Sequence, residues 1–507
     1  MDPVWQGLLN VLTPHYLLLM AVGVAVGSVV GALPGFTATM GLTILLPFTF
    51  VMDPTSALVL MGALWGSAHF GDAIPACLVA TPGTPSAVVT VIEGHQLVRR
   101  GKAAQALYTA LLASALGQLV GGFSLLALAE PLARLSLQFG PPELFWVGIF
   151  GLSMMASLAG QSLLKGIAGA ALGLLLSTVG VAQTEGMVRY AFGLPQLQGG
   201  VELVPALIGF LTVPEVLGMV ERRREERYVA EYRSQPGALW DVFRETLTKP
   251  FLLLRASVVG VIVGIVPAIG GPVASLAAYN EAWRSSGKRA EFRRGSMEGL
   301  IAAELANNAV APTDMIPTLA LGIPGSGPAA LLMAALLLQG IQPGRNLFTA
   351  HATMTYTFIW STLVSGIVLF VVGLAMVRLL VQIIRVPVYL LAPLVLTLSV
   401  VGSFAVRNNF FDVGTMVVFG VLAYFLRKMG FEGGPVVLGL LLGPIIEPQL
   451  MSSLALAQAR GSFVEVFLLR PYSALFALLT LWSLLRGLKG WQMMQRVQPA
   501  TPAGPGG

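Results

Sequence analysis

Two aspartates stand at matching places in the chain, and the same residues follow each. Asp72-Ala-Ile-Pro75 leads to Pro82-Gly83-Thr84, and Asp314-Met-Ile-Pro317 leads to Pro324-Gly325-Ser326, with 242 residues from Asp72 to Asp314. A helix that opens after either Pro-Gly pair presents free N–H groups and the positive end of its dipole, to which Thr84, Ser86 and Ser326 add hydroxyl donors. That arrangement suits a carboxylate. Ahead of the second loop, Glu304-Leu-Ala-Asn307-Asn308 interrupts a segment that is otherwise apolar from Leu300 to Ala311. Adjacent amides there bind substrate carboxylates through their NH₂ groups, bind a sodium ion through their carbonyl oxygens, or hydrogen-bond a neighbouring helix. Asp72 and Asp314 have three open roles: binding a coupling cation, carrying a proton, or capping the helices beyond them.

Other polar residues offer less. Glu304 reads as an interfacial residue facing the Arg284 to Arg294 loop, and Glu93, Glu202, Glu215 and Glu447 read as solvated or interfacial residues near helix ends. The four histidines, His15, His69, His95 and His351, have no ligand spacing, so no metal site is expected. Cys77 is the single cysteine, which excludes an internal disulfide and a cysteine cluster.

The elements that carry these residues are membrane helices. Of 507 residues, 55% are hydrophobic and 11% charged, with mean hydropathy +0.79, far from the makeup of soluble domains. Apolar stretches at 105–129, 143–159, 166–182, 203–220, 353–377, 387–405, 411–426 and 463–485 are long enough for helical crossings, and none alternates as a barrel strand would. Asp2 and the lack of a basic segment before the first apolar run speak against a cleaved secretory signal. Residues 1–98 contain no Lys or Arg, whereas 222–249 holds Arg222, Arg223, Arg224, Arg227, Arg233, Arg244 and Lys249, which places the latter in the cytoplasm.

An earlier motif also repeats: Gly31-Ala-Leu-Pro34-Gly35 corresponds to Gly264-Ile-Val-Pro267-Ala268. The hairpin at 251–283 is flanked by Lys249 and Arg284 and reads as cytoplasmic at both ends, while the one at about 16–52 has no flanking positive charge and reads as external. Inverted repeats with interrupted helices are the sequence signature of secondary transporters, whose site lies near mid-membrane. The expected fold is an all-α polytopic membrane protein of about 10–12 transmembrane helices, in two inverted repeats with proline- and glycine-broken re-entrant hairpins. The expected divisions are a first repeat at 1–220, a cytoplasmic connector at 221–249, a second repeat at 250–490 and a disordered tail at 491–507. Substrate would meet Gly35, Thr37, Gly83, Thr84, Ser86, Asn307, Asn308, Gly325 and Ser326, and the coupling ion would meet Asp72, Asn307, Asn308 and Asp314.

The runs Gly31-Ala-Leu-Pro-Gly35, Leu46-Pro-Phe-Thr49, Thr81-Pro-Gly-Thr84, Glu304-Leu-Ala-Asn-Asn-Ala309, Ile316 through Ser326 and Gly340-Ile-Gln-Pro-Gly344 resemble the large permease subunit of tripartite tricarboxylate transporters, the TctA family. The resemblance covers nearly the whole chain, and the Asn307-Asn308 and Gly322-Ile-Pro-Gly325-Ser326 pair is its most specific part. It implies a non-enzymatic transporter of the bacterial inner membrane that takes up citrate-like or other carboxylates on a sodium or proton gradient. It also implies two partners, an extracytoplasmic solute-binding protein and a small four-helix membrane subunit. The chain departs from the family pattern at Asp72, Ala80 and Pro312-Thr313-Asp314, so a smaller or less anionic substrate also fits. Three other readings stay open: a standalone ion-coupled symporter, a passive channel, and an intramembrane aspartic protease built on the paired aspartates.

Overall fold

The structure is a computed structural model that describes residues 2–158, 162–182, 186–221, 235–267, 269–384, 386 and 388–497. The first half forms α1 (Pro3–Val11), α2 (Pro14–Ala32), α3 (Ala38–Leu45), α4 (Pro54–Val79), α5 (Val88–Arg99), α6 (Ala103–Ser136), α7 (Pro141–Leu158), α8 (Leu163–Ser177), α9 (Leu203–Leu207) and α10 (Val213–Glu221). The second half forms α11 (Ala238–Leu247), α12 (Pro250–Ile265), α13 (Gly270–Ser285), α14 (Met297–Leu321), α15 (Gly327–Leu338) and α16 (Arg345–Phe348). It continues through α17 (Ala352–Ile383), α18 (Val388–Ala405), α19 (Phe410–Lys428), α20 (Gly433–Arg460) and α21 (Pro471–Val497).

Helix starts follow the sequence closely. Proline opens α1, α2, α4, α12 and α21, where its missing N–H has no intrahelical partner to lose. The carboxylates of Asp2 and Asp53 accept from Val4 and Ser56 N–H at 3.0 Å each, closing the first turns of α1 and α4. Among the described residues, eight helices are long and apolar enough to cross a membrane, or nine if α11 and α12, bent by 78°, count as one span.

Two expectations change in detail. The apolar run at 463–485 is broken at Arg470-Pro471, because Pro471 has no N–H to continue the preceding turn and starts α21 instead. The span α20 was not expected, since Pro444, Glu447 and Pro448 interrupt its apolar pattern. Of the expected tail, residues 491–497 continue α21, and the remainder lies outside the described residues, as does 222–234 of the connector. The rest of the connector includes α11, which packs on α6 with Ala238, Val242 and Thr246 buried.

By contacts the chain forms two compact units, Met1–Gln138 with Glu202–Tyr424 and Phe139–Val201 with Phe425–Gly507. Each takes a piece from either half of the sequence. In the second unit, α7 packs against α20 and α21, and α8 against α20. There the buried Glu143 accepts from Arg470 Nε at 2.8 Å and Ser473 Oγ at 2.9 Å. Strands Gly180–Val181 and Val188–Arg189 pair antiparallel, and Arg189 grips Glu447 with two bonds of 2.7 and 3.0 Å, so that glutamate is ion-paired.

The first unit holds both repeated motifs, and its packing carries the same two spacings as the sequence. Helix α2 lies on α4 and α12 lies on α14. A β-carbon at Gly27 would run into the Leu64 carbonyl oxygen, and one at Gly260 would lie 2.8 Å from the Ala306 carbonyl oxygen. Gly27 to Gly260 repeats the spacing of Gly31 to Gly264, and Leu64 to Ala306 repeats that of Asp72 to Asp314. Small residues let these backbones touch where lipid gives no hydrophobic drive between helices. The long helices then exchange halves, with α6 packed on α14 and α17 on α4 and α2. Gln118 of α6 joins them, its Nε2 donating to Thr362 O and Ser365 Oγ of α17 at 3.2 Å each.

Gly27→Val and Gly260→Val should each lower stability by about 1–3 kcal/mol through overpacking, read as a lower unfolding temperature of the detergent-solubilised protein. Gly287→Ala, whose β-carbon would meet nothing within 4 Å, should leave it unchanged. Equal midpoints for all three variants would disprove the contact.

Candidate functional site

Helices α4 and α14 end in the same way. Ala80 and Gly322 take left-handed backbone at φ 53° and 71°, and their N–H groups return to the carbonyls of Pro75 and Pro317. The chain then reverses into its Pro-Gly loop. At the equivalent place Gly322 adopts this conformation freely, whereas Ala80 does so at a steric cost of about 1–2 kcal/mol. Pro75 and Pro317 each leave a carbonyl one turn earlier without its helical donor, which loosens the helix beside the aspartates.

Both aspartates point back at the loops. Asp72 is 2% exposed, and its Oδ1 accepts from Thr84 N at 3.1 Å while its Oδ2 accepts from the Thr84 hydroxyl. Gly83 also donates its N–H to this carboxylate, and a β-carbon there would collide with Asp72 Oδ1. Asp314 is 3% exposed and its Oδ1 accepts from Gly325 N at 3.0 Å, with a β-carbon at Gly325 again excluded by the carboxylate. The Ser326 hydroxyl lies in hydrogen-bonding reach of the Asp314 carboxylate and accepts from Ala329 N at 3.3 Å as the cap of α15. Asp314 Oδ2 has no well-formed partner. The N–H groups of Gly83, Thr84 and Gly325, expected to be free for a carboxylate from outside, are therefore taken by carboxylates of the chain itself.

The hydroxyl chain runs on from Asp72. Thr84 Oγ1 and Ser86 Oγ are 2.7 Å apart. Gly271 at the start of α13 brings the two halves together, since a β-carbon there would lie 3.3 Å from Ser86 Cβ and would run into Asn307 Oδ1. On the other side the start of α15 meets α3, where a β-carbon at Gly327 would lie 3.3 Å from Thr39 Oγ1. Each Pro-Gly loop thus rests on its own half's first hairpin helix and on the other half's second. Asn307 Oδ1 and both amide atoms of Asn308 are buried without a hydrogen-bond partner. Unpartnered buried polar atoms of this kind cost about 1–3 kcal/mol each unless an ordered water, an ion or a ligand completes their bonding.

Residues 17–438 match the Tripartite tricarboxylate transporter TctA family. The chain belongs to that family. It is a multi-pass membrane transporter subunit and not an enzyme. It is similar to an uncharacterized 52.8 kDa protein in the TAR-I ttuC' 3' region of Agrobacterium vitis, 35% identical over 471 residues and covering 92% of each chain. A second protein, in the TAR-II ttuC' 3' region of the same organism, is 34% identical over 215 residues, which is 42% of this chain and 88% of that one. No solved structure matches the chain.

In this TctA-family permease, Asp72, Gly83, Thr84 and Ser86 form one hydrogen-bonded group, with Asn307 and Ser86 both lying against Gly271, and Asp314, Gly325 and Ser326 form its counterpart. Asn308 turns away from its neighbour and packs beside Gly117 of α6, 3.0 Å from a β-carbon placed there. Successive residues on a helix point about 100° apart, so the two amides face different elements. Thr37 caps α3 by accepting from Met40 N at 3.3 Å, and Gly35 turns the first hairpin at φ 84° facing Met219, so neither meets the aspartate group.

Two acids depart from their expected surroundings. Glu304 is 2% exposed and faces inward, accepting from the Thr90 hydroxyl and from Ser114 Oγ at 3.2 Å, with Asp72 in electrostatic reach. Its position one turn before Asn307 and Asn308 on an apolar helix was the signal for this. Glu93 is fully buried rather than solvated. It accepts from Tyr279 OH at 2.6 Å and from the N–H groups of Arg293, Gly295 and Ser296 at 2.5, 2.9 and 2.7 Å. No local pattern announces it, because all four donors come from residues 279–296. Removing the acceptor in Glu93→Ala strands four buried donors, and should cost about 3 kcal/mol in thermal unfolding, with Glu93→Gln intermediate. A variant as stable as the parent would show that water replaces the carboxylate.

Proposed function

We propose that this TctA-family chain is the translocating subunit of an inner-membrane carrier that imports citrate-like tri- and dicarboxylates on a sodium or proton gradient. Its partners are an extracytoplasmic solute-binding protein, which delivers the anion, and a small four-helix membrane subunit. The observation that carries this reading is the set of buried, unpartnered oxygens on α14. Asn307 Oδ1, Asn308 Oδ1 and Asp314 Oδ2 are hard donors of the kind that bind sodium, and Asn308 Nδ2 is a free donor for an anion. Asn307 and Asp314 lie seven residues apart, two turns along one helix face.

The transport step proposed is alternating access. The two hairpins, with the Asp72 and Asp314 segments, form a substrate-carrying group that moves against the remaining helices; the duplicated packing supports treating the halves as structural repeats, and the loop charges support their inversion. In that scheme a cation at one of these α14 oxygens offsets the charge of the anion, so neither enters the interior alone.

The test is uptake of labelled citrate and succinate into proteoliposomes, under a sodium or a proton gradient, with and without both partners. Uptake that needs both partners and one gradient is expected. Asn307→Ala and Asn308→Ala should each reduce uptake about tenfold, equivalent to one lost buried hydrogen bond or ion ligand, and should raise the cation concentration at half-maximal rate. Unchanged uptake and ion dependence in both variants would remove the centre of this mechanism, and full uptake by this chain alone would remove the partners.

A further inference from the structure

We propose that Asp72 and Asp314 act as resident carboxylates that fill the backbone seats of the two Pro-Gly loops and set the charge of the anion carried, favouring a mono- or dicarboxylate over a fully ionised tricarboxylate. This rests on the carboxylate reading above and narrows it.

Three observations support it. First, the N–H groups that a Pro-Gly loop would offer an anion are bonded to Asp72 at Gly83 and Thr84 and to Asp314 at Gly325. The loops are occupied in both halves at equivalent positions, and the β-carbon collisions at Gly83 and Gly325 show that each carboxylate lies directly against its loop. An incoming substrate therefore loses its strongest backbone donors.

Second, the interior around the site is acidic without compensation. Among the described residues no Lys or Arg is buried, while Asp72, Glu304 and Asp314 are 2%, 2% and 3% exposed. The other two buried acids of the same unit have their own donors, Glu93 from the backbone loop and Asp412 from Arg407. The Asp72, Glu304 and Asp314 carboxylates are held by hydroxyls and backbone N–H groups alone. His69, three residues before Asp72, is bonded to the Trp65 N–H through Nε2 at 3.1 Å.

Third, the atoms left open beside these acids are mostly oxygens. Asn307 Oδ1, Asn308 Oδ1 and Asp314 Oδ2 attract cations and repel carboxylates, and Asn308 Nδ2 is a donor. Every further negative charge on the substrate interacts with the resident acids at low dielectric, and must bring a further cation or proton with it. A dicarboxylate needs fewer such companions than a tricarboxylate does.

The experiment is calorimetric binding of succinate and of citrate to the whole chain assembled with the small membrane subunit in lipid nanodiscs, at neutral pH with saturating sodium. The wild type should bind succinate more tightly than citrate. Asp72→Asn with Asp314→Asn keeps an acceptor for each loop but removes two charges, and should raise the ratio of citrate to succinate affinity about tenfold or more. A purely structural role would weaken both probes together and leave the ratio alone. Wild-type preference for citrate overturns the proposal, as does an unmoved ratio in the folded double variant. If the double variant does not fold, each single variant reads the same ratio, with a smaller rise expected. A wild type that binds neither probe overturns the carboxylate reading itself, and this inference with it.

Discussion

A helix broken inside a bilayer leaves backbone N–H groups where no water can reach them, and much of this structure answers that constraint. The chain resolves it from within the same helix. Asp72 reaches forward twelve residues to Thr84 and Asp314 eleven to Gly325, so each loop folds back over the helix it has just left. A carboxylate held in this way is desolvated yet tied to its loop, and the loop it holds becomes a fixed point on which the opposite half can rest. Gly271 against Ser86 and Gly327 against Thr39 are those resting contacts.

The buried acids of the first unit fall into two groups. Glu93 and Asp412 are saturated, one by backbone N–H groups and a tyrosine and the other by an arginine, and they hold parts together. Asp72, Glu304 and Asp314 have only neutral partners and sit beside unpartnered amide oxygens. That imbalance is costly for a resting fold, and the coupling cation proposed above would supply the missing positive charge.

Much of this was legible in the residue order. The paired Asp and Pro-Gly motifs, the family and the long apolar spans all stand in the sequence, since hydropathy and proline placement act locally. The span α20 and the break at Arg470 were harder, because prolines and a glutamate inside an apolar run read equally as a helix end or as a tolerated kink. The partners of the aspartates were not legible. A Pro-Gly loop with free N–H groups and a carboxylate nearby suggests an external ligand as readily as an internal one, and only the backward turn at Ala80 and Gly322 decides it. Glu93 could not be read at all, with donors about two hundred residues away.

The exchange of long helices between halves bears on how the protein is made. Gly117 of α6 fits only against the Leu305 backbone of α14, and Phe358 of α17 fills the notch at Gly62 of α4. The first half leaves the ribosome with both surfaces uncovered, and they stay so until α14 and α17 have been made, roughly 100 and 160 residues later, about 5–30 s at ordinary synthesis rates. During that interval α4 and α6 lie in lipid with glycine-lined grooves and buried polar groups still open, so the early chain depends on the insertion machinery or on its own loose association to keep them apart from other helices. Order of synthesis, as much as final energy, shapes which helix meets which.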